Sequence, residues 1–281
     1  MVRGRRRKTL LCYVAADKSQ QVDVASHGRA LVGLPLWAMQ RGARHAALRS
    51  VEASPGIFKQ VSRSQSGEED FLWNNFFFGT SNGTFIEMGA LDGEKISNTL
   101  GLEMLLGWRG VLIEASPSSY SRLQKRRKNQ LVINAAVCDA IRQVHYLEGG
   151  ATGGIVEFMP PTFIKRWHPS YDAKQLSHLQ AVPCVPLDLL LEPYGLTHFN
   201  FFSLDVEGGE LQVLRAINFS AISFDIIVVE ADGHNRTKDD TVTGLLADAG
   251  YDLYKHFKRN NWYARHDFVP RASDRGQARQ H

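Results

Sequence analysis

Short apolar runs bounded by turn residues recur along the chain and predict buried strands. They cover residues 83–88, 110–114, 131–137, 199–204 and 225–229. Segments with helical spacing lie between or after them, at 97–106, 117–127, 187–191, 209–214 and 240–249. Strands that alternate with helices imply a parallel sheet with right-handed crossovers. Residues 251–257 and 261–264 predict an antiparallel hairpin that closes the sheet.

Three further segments fit this α/β pattern less regularly. Residues 64–78 place acids before five aromatic residues, which predicts a helix whose aromatic face packs into the core. Residues 148–154 contain four glycines and predict a mobile loop. The irregular insert at 155–180 is expected to be either a lid over a site or a surface excursion.

The composition is that of an ordinary globular chain, with 43% hydrophobic and 22% charged residues. No apolar run approaches the roughly 18 residues of a membrane-spanning helix. We expect a poorly ordered basic leader at 1–60, one domain at 61–268 and a disordered tail at 269–281. The leader leaves organelle targeting open, although a cytoplasmic location is slightly favoured, and nothing indicates the oligomeric state.

Charge is unevenly distributed along the chain. Residues 1–51 carry a net charge of +8 and residues 255–281 carry +5, whereas residues 52–254 carry −9. An acidic central region is a poor match for a nucleic-acid backbone, so we expect no nucleic-acid partner. The three cysteines, at 12, 138 and 184, form no paired motif and predict buried thiols rather than disulfides or a zinc site.

The segment 87–93, which reads Glu-Met-Gly-Ala-Leu-Asp-Gly, is a glycine turn between a predicted strand and a helix. Such turns hold nucleotides in α/β folds. Because Glu87 and Asp92 would repel a phosphate, a neutral or cationic nucleoside is the better ligand. The sulfonium of S-adenosylmethionine satisfies this condition.

Acidic residues also end the predicted strands, at Glu87, Glu114, Asp205 and Glu230. The carboxyl edge of an open α/β sheet is where ligands bind. Glu114 lies 25 positions after Gly89, about one β-α-β unit further on, where a carboxylate can accept hydrogen bonds from ribose hydroxyls. The plainer reading, that these acids only cap the following helices, fits Glu87 best.

The run Asp-Val-Glu-Gly-Gly-Glu at 205–210 adds a second motif. Together with residues 87–93, Ser-Asn-Thr at 97–99 and Gly-Trp-Arg-Gly at 107–110, it resembles the FkbM-type methyltransferases over roughly residues 64–265. The resemblance implies a class I fold, a Rossmann-like seven-stranded and mostly parallel sheet with helices on both faces and an antiparallel last strand. It also implies methyl transfer from S-adenosylmethionine, usually to a hydroxyl of a small-molecule or glycan-like acceptor.

The resemblance assigns roles to individual residues. The cofactor's amino-acid and sulfonium end would meet residues of the two turns; these are Glu87, Gly89, Ala90, Asp92, Ser97, Asn98 and Thr99. Glu114 would hold the ribose, and the adenine would lie near Asn134 and Ala135. Asp205 would contact the cofactor. Asp205 and Glu207 would both face the reacting centre. The chain departs from the family pattern at two positions. Met88 stands where the family often has Ile or Val, and Leu91 stands where it often has Asn.

An alcohol acceptor needs a base near its oxygen, and the candidates are Asp205, Glu207 and His234. A metal held by Asp205, Glu230 and His234 is conceivable, but the spacing does not require one and we predict none. Two rival functions are a nicotinamide-dependent reductase and a non-catalytic domain for protein contact or trafficking. The reductase is disfavoured because the turn lacks G-x-G-x-x-G.

Overall fold

The computed structural model describes residues 51–52, 56–231 and 236–273, and the structural statements below concern these residues. Most of the predicted leader and most of the predicted tail lie outside them, so the proposed domain boundaries stay predictions. No helix in the described part of the chain has the length and apolar character needed to span a bilayer.

The centre of the molecule is a seven-stranded sheet in the order β10-β11-β9-β8-β1-β2-β3. Its strands are β1 (Thr84–Met88), β2 (Arg109–Ile113), β3 (Leu131–Ile133), β8 (His198–Leu204), β9 (Ser223–Glu230), β10 (Tyr251–Phe257) and β11 (Asn260–Arg265). β11, the last strand, is antiparallel to both of its neighbours, while β9, β8, β1, β2 and β3 pair in parallel. The predicted fold class, including the antiparallel last strand, is confirmed.

Neighbouring residues on these strands enter different cores, because side chains alternate across a strand. Phe85 of β1 aligns with Phe201 of β8 and packs into one cluster, whereas the next pair, Ile86 and Phe202, packs into the cluster on the opposite face. Burial on both faces explains why these strands are continuous apolar runs rather than alternating ones.

Helices cover both faces of the sheet. They are α1 (Ile57–Val61), α2 (Glu68–Asn75), α3 (Leu100–Leu106), α4 (Pro117–Arg126), α5 (Pro161–Trp167), α6 (Leu187–Leu191), α7 (Glu210–Ala216) and α8 (Arg236–Asp248). Gly107 ends α3 in the left-handed conformation, as expected of a C-terminal glycine. The predicted aromatic face of α2 is confirmed, since Phe71 is buried with its ring centroid 4.4 Å from that of Phe257.

A second sheet, absent from the sequence prediction, lies beside the carboxyl edge of the first. Its order is β4-β7-β5-β6, with β4 (Ala136–Val137), β5 (Arg142–Leu147), β6 (Gly154–Ile155) and β7 (Gln180–Val185). The single strand predicted at 131–137 is therefore wrong: it divides into β3 and β4. At the division, the Asn134 side chain donates to the carbonyls of Glu114 (2.7 Å) and Ala115 (3.1 Å) and holds the chain against the end of β2.

The expectation of free thiols at Cys138 and Cys184 is also wrong, since the two form a disulfide with Cα atoms 5.5 Å apart. Cys184 lies on β7, and Cys138 directly follows β4, which pairs with β7. The cysteines are 46 positions apart in sequence, so only the unforeseen second sheet brings them together.

Candidate active site

A cavity of about 680 Å³, including its open mouth, lies at the carboxyl ends of β1, β2 and β8. The strand order reverses between β1 and β8, and α/β folds bind ligands at such switch points. Its walls are formed by Met88, Gly89, Leu91, Ile96, Ile113, Glu114, Ala115, Ala135, Ala136, Val137, Tyr146, Gly150, Ala151, Gly153, Gly154, Ile155, Phe158, Asp205, Val206, Glu207 and Val213. The volume is within the usual range for small-molecule sites.

Gly89 brings the ends of three strands together. Its N–H donates to the Ile113 carbonyl at 3.0 Å, and its φ of +84° suits glycine. A Cβ at this position would lie 1.7 Å from the Asp205 carbonyl oxygen. The turn therefore requires glycine both for its backbone conformation and for this close contact.

Glu87 is directed into the protein rather than into the cavity. Its carboxylate accepts hydrogen bonds from Ser97 Oγ (2.9 Å), Asn98 N (2.7 Å) and Thr99 Oγ1 (2.5 Å). Burial raises its pKa, which the nearby guanidinium of Arg127 and these hydrogen bonds partly offset. Glu87 thus fixes the turn at 97–99.

Arg127 completes this buried network. Its guanidinium bonds Glu103 Oε2 (2.6 Å), the Gly93 carbonyl (3.0 Å) and the hydroxyls of Ser97 and Thr99 (both 3.1 Å). The segment from the glycine turn to the start of α3 is thereby tied to the end of α4. Although Arg127 stands in a run of four basic residues at 125–128, its side chain is only 1% exposed.

Asp92 closes the glycine turn from outside the cavity. Burial alone would raise its pKa, but hydrogen bonds from the backbones of Lys95 and Glu94 and from Arg126 lower it. Its Oδ1 accepts from Lys95 N at 2.8 Å and from Glu94 N at 3.1 Å, and its Oδ2 pairs with Arg126.

Glu114 lines the cavity at the end of β2. Oε2 accepts from Leu91 N and Oε1 from Ser116 N, both at 2.7 Å. Burial raises its pKa to about 7 in spite of these hydrogen bonds. Each carboxylate oxygen can accept a second hydrogen bond, so Glu114 keeps capacity for hydroxyl donors.

The second sheet and the insert supply the facing wall. The cavity is lined here by Tyr146 from β5, by both residues of β6 and by Phe158. Burial raises the pKa of the Tyr146 hydroxyl above its usual value. The expected glycine loop forms a 3-10 turn at Gly150–Thr152 followed by β6. From the predicted insert only Ile155 and Phe158 line the cavity.

The Asp-Val-Glu-Gly-Gly-Glu turn after β8 is packed against the insert. Glu207 has a left-handed φ of +57°, an unusual conformation for a residue with a side chain. A Cβ on Gly208 would lie 2.6 Å from Pro160 Cδ. Glu210 Oε1 accepts from Val206 N (3.2 Å) and Gly208 N (3.0 Å) and stabilises the turn.

This turn carries the most acidic part of the site. One carboxylate oxygen each of Asp205, Glu207 and Glu230 lies within 4.8 Å of the other two. Burial raises the pKa of Asp205 well above its usual range, and repulsion from Glu230, Glu207 and Glu210 raises it further. Asp205 is therefore held near other acids in a weakly hydrated place, which is typical of functional carboxylates.

The structure brings some of the predicted site residues to the cavity and leaves others behind its walls. Lining residues among them are Gly89, Glu114, Ala135, Asp205 and Glu207. The residues outside the lining are Glu87, Ala90, Asp92, Ser97, Asn98, Thr99 and Asn134. His234 lies outside the described residues. Roles in binding or catalysis stay predictions for all of them.

Most residues of the apolar cavity walls were not predicted from the sequence. Leu91 and Ile96 line the cavity with φ angles of +50° and +54°, so the turn presents these side chains in place of Asp92 and Ser97. Tyr146, Gly153 and Gly154 come from the unpredicted second sheet. The four glycines at 148–154 were the available signal, since closely packed backbone favours glycine.

The cavity fits S-adenosylmethionine in its chemistry. Glu114 offers acceptors for ribose hydroxyls, and the neighbouring Ile113, Ala115 and Ala135 offer an apolar surface for a purine. Asp205 and Glu207 place negative charge where a sulfonium would be stabilised. The sheet order, the glycine turn after β1 and the carboxylate after β2 together define the class I methyltransferases, whose methyl donor is S-adenosylmethionine.

Residues 87–253, more than half of the chain, match the model of the methyltransferase FkbM domain. The chain belongs to this family of S-adenosylmethionine-dependent methyltransferases. Curated proteins give no significant match.

Several solved structures are similar to this chain at low sequence identity. An FkbM methyltransferase from Methylobacillus flagellatus KT is 14% identical, with 79% of this chain and 59% of that chain covered and a TM-score of 0.42. Precorrin-6y C5,15-methyltransferase from Geobacter metallireducens GS-15 is 13% identical, covering 66% and 79%, with a TM-score of 0.34. M. jannaschii TYW2 in complex with AdoMet is 11% identical, covering 74% and 80%, with a TM-score of 0.38.

Proposed function

We propose that the chain transfers the methyl group of S-adenosylmethionine to a hydroxyl oxygen of a small-molecule or glycan-like acceptor. The observation that carries the proposal is the convergence of Asp205 and Glu207 on the wall of a cavity that suits the cofactor. Carboxylates at that place can attract the sulfonium and accept the proton that an attacking hydroxyl must lose.

Glu114 would hold the ribose through its two oxygens, and Ala135 would adjoin the adenine. The backbone of Gly89 would meet the amino-acid end of the cofactor, with Ser97, Asn98 and Thr99 fixing that turn from behind through Glu87. When bound, S-adenosylmethionine supplies an electrophilic methyl carbon, which bonds to the acceptor oxygen while sulfur keeps the electron pair of the broken bond.

The remaining work falls to side chains of the chain itself. Asp205 is the first candidate for the base because its raised pKa favours the protonated product state. Glu207, on the same turn, is the second candidate, and His234 is the third by its sequence position. Phe158 and the 150–155 segment face these acids across the cavity and can limit the access of water.

The acceptor class is an inference from charge. Residues 52–254 carry a net charge of −9, which disfavours a polyanionic acceptor such as nucleic acid and favours a neutral one rich in hydroxyls. In the alternative, a non-catalytic domain would bind the cofactor without transferring its methyl group. Measuring binding and methyl transfer independently distinguishes this alternative from the proposed enzyme.

The test has two parts. Calorimetric titration with S-adenosylmethionine should give saturable binding to the full chain. Incubation with a labelled methyl donor and a small-molecule or glycan extract should then give a labelled product that is absent with Asp205→Asn and retained with Glu192→Gln. Glu192 is a suitable control because it is exposed and precedes β8, at the opposite edge of the sheet.

Binding without any transfer would favour the non-catalytic alternative. Undetectable binding at high protein concentration would refute the proposal as a whole. A label recovered only in added RNA would support methyltransferase activity and refute the proposed acceptor class.

A further inference from the structure

The loop between α7 and β9 carries a motif that the proposed function does not use. Its residues read Asn218-Phe219-Ser220, the Asn-x-Ser acceptor sequence for N-linked glycans, with a residue other than proline in the middle. Such a short sequence also occurs by chance, and a glycan requires an asparagine that the fold presents to solvent. The surroundings of the loop therefore decide whether this copy of the motif can carry a glycan.

The fold keeps both ends of this motif on the surface. Asn218 and Ser220 are exposed, whereas Phe219 between them is half-buried and packs against the core. The ring centroid of Phe219 lies 5.6 Å from that of Tyr251 and 6.2 Å from that of Phe224. The central residue thus anchors the loop, and the two residues that a glycosylating enzyme must recognise stay accessible.

The side-chain amide of Asn218 is held at its carbonyl end only. Its Oδ1 accepts a hydrogen bond from Ser220 N at 3.1 Å, and its Nδ2 has no hydrogen-bond partner within residues 51–52, 56–231 and 236–273. Nδ2 is the atom to which the sugar would be attached. Because the folded chain makes no use of this nitrogen, a glycan there would break no hydrogen bond of the loop.

The other motif that lies wholly in the described part of the chain, Asn82-Gly83-Thr84, is engaged by the fold at both ends. Its asparagine is exposed, but the Nδ2 atom donates to Ser81 Oγ at 3.1 Å. Its threonine lies on β1, where its Oγ1 accepts from Asn200 N at 3.2 Å. A third motif, at 235–237, begins outside the described residues. Asn218 is therefore the better acceptor of the two that can be compared.

An independent observation concerns the compartment in which the chain folds. Cys138 and Cys184 form a disulfide, and they are only 2% and 0% exposed. A bond this deeply buried has to form during folding, because an oxidant does not reach it afterwards. Disulfides form in oxidising compartments such as the lumen of the endoplasmic reticulum and are rare in the cytosol. The same lumen is where eukaryotic cells add N-linked glycans, so the disulfide and the exposed motif indicate one location, which is not the cytoplasm that the sequence slightly favoured.

We propose that Asn218 carries an N-linked glycan, added while the chain folds in the oxidising lumen of a eukaryotic secretory pathway. The donor is an oligosaccharide that is joined to a lipid through pyrophosphate. Asn218 Nδ2 forms a bond to the anomeric carbon of the first sugar and loses one proton to a base of the transferring enzyme. The bond between that carbon and the pyrophosphate oxygen breaks, and the lipid pyrophosphate leaves with its electron pair.

The modified loop lies at the opposite edge of the sheet from the candidate active site. It precedes β9, whereas the cavity lies at the carboxyl ends of β1, β2 and β8, which are parallel to β9. A glycan at Asn218 would therefore cover the amino edge of the sheet and leave the cavity uncovered. The glycan is compatible with methyl transfer and does not depend on it, so the two proposals are tested separately.

Mass spectrometry of the endogenous protein, captured from its own cells with an antibody, tests the modification directly. Peptide N-glycosidase in heavy-oxygen water converts a glycosylated asparagine into a labelled aspartate. Trypsin leaves Asn218 and Asn235 in one peptide, residues 216–236, so fragmentation of that peptide has to locate the label. The label should be at position 218. A peptide without label at this position would overturn the proposal, even if one of the other two motifs were labelled.

The same sample tests the compartment. When the protein is denatured and alkylated without a reductant, Cys138 and Cys184 should stay unmodified, because they are joined in the disulfide. Alkylation of both thiols under these conditions would show that the chain folds in a reducing compartment, and it would overturn the proposal.

Variants of the full chain assign the glycan to this loop. They are produced in insect cells behind a secretory signal peptide, and gel mobility is compared before and after deglycosylation. Asn218→Gln and Ser220→Ala should each have one glycan fewer than the wild type, whereas Ser220→Thr keeps the motif and should keep the glycan. Asn129→Gln, at an exposed asparagine outside any such motif, should match the wild type. An unchanged mobility shift in both Asn218→Gln and Ser220→Ala would overturn the assignment.

Discussion

Glu114→Gln tests the assignment of the ribose-binding carboxylate, because glutamine keeps the shape of the side chain and removes its charge. In the wild type, the two oxygens of Glu114 each accept a backbone N–H at 2.7 Å, from Leu91 and Ser116. Glutamine has one acceptor oxygen, so one of these N–H groups would face an amide nitrogen. An unsatisfied buried donor costs about 1–3 kcal/mol.

The raised pKa of Glu114 opposes this effect, because it lowers the stability of the wild type as pH rises. It is raised from 4.5 to about 7 by burial, so the folded chain binds a proton that the unfolded chain has already lost between these pH values. The stability of the wild type therefore falls as pH rises through this window and stays lower above it. At about 1.4 kcal/mol per unit, the loss is roughly 3 kcal/mol.

Urea unfolding between pH 5 and 8 measures both effects. The wild type should exceed Glu114→Gln in stability at pH 5 and lose roughly 3 kcal/mol of that advantage by pH 8. The affinity of the variant for S-adenosylmethionine should fall about 10- to 100-fold, since each hydrogen bond to a charged group contributes about 1.5–3 kcal/mol.

Glu69→Gln is the matched control. Glu69 is also buried, its pKa is also raised to about 7 mainly by desolvation, and its Oε1 accepts from the N–H groups of Gly101 and Leu102. It does not line the cavity, so its variant should reproduce the pH effect and leave cofactor affinity unchanged. Unchanged affinity in Glu114→Gln, or equal pH slopes for it and the wild type, would refute the reasoning.

Two other substitutions and the reduction of the disulfide probe the framework. Arg127→Met should destabilise the fold by about 3–5 kcal/mol in urea unfolding, because Glu87 would remain buried without its cation; a loss below about 1 kcal/mol would contradict the network. Reducing the disulfide Cys138–Cys184, which closes 46 positions, should cost roughly 4 kcal/mol and lower the melting temperature, unlike reductant added to the double Ala variant. Gly89→Ala should abolish binding of S-adenosylmethionine in calorimetry, because its Cβ would lie 1.7 Å from a carbonyl oxygen; wild-type affinity would show that the turn can move.

The sequence predicted the main sheet well because its strands carry strong local signals. Residues 199–204 are almost wholly apolar, and β8 is accordingly buried between two helical layers. The glycine turn was also predictable from the sequence, since Gly89 meets both a conformational and a steric requirement. Acids at the ends of these strands then follow from the topology, which gathers the carboxyl ends at one edge.

The second sheet could not be predicted in the same way. β4 and β6 have two residues each, too few for any periodicity to appear. β7, which pairs with β4 and β5, contains Pro183, and proline is uncommon inside a strand. The disulfide and the Tyr146 wall both depend on this sheet, so they were missed together.

The acids at the strand ends look alike in sequence, and hydrogen-bond donors from distant elements decide what each can do. Glu87 receives three donors from the 97–99 turn and lies near Arg127, so little acceptor capacity remains. Glu114 receives two backbone donors and borders the cavity.

Asp205, by contrast, keeps an enclosed oxygen without a partner in the described part of the chain. Unused capacity is not sufficient, since Glu69 Oε2 also lacks a partner among the described residues but lies away from the cavity. A carboxylate becomes available to a ligand where unused capacity and the cavity coincide. Under the proposed function, that condition favours Glu114 as the partner of the ribose hydroxyls and Asp205 as the neighbour of the sulfonium, and the two acids should therefore respond differently to neutral isosteres.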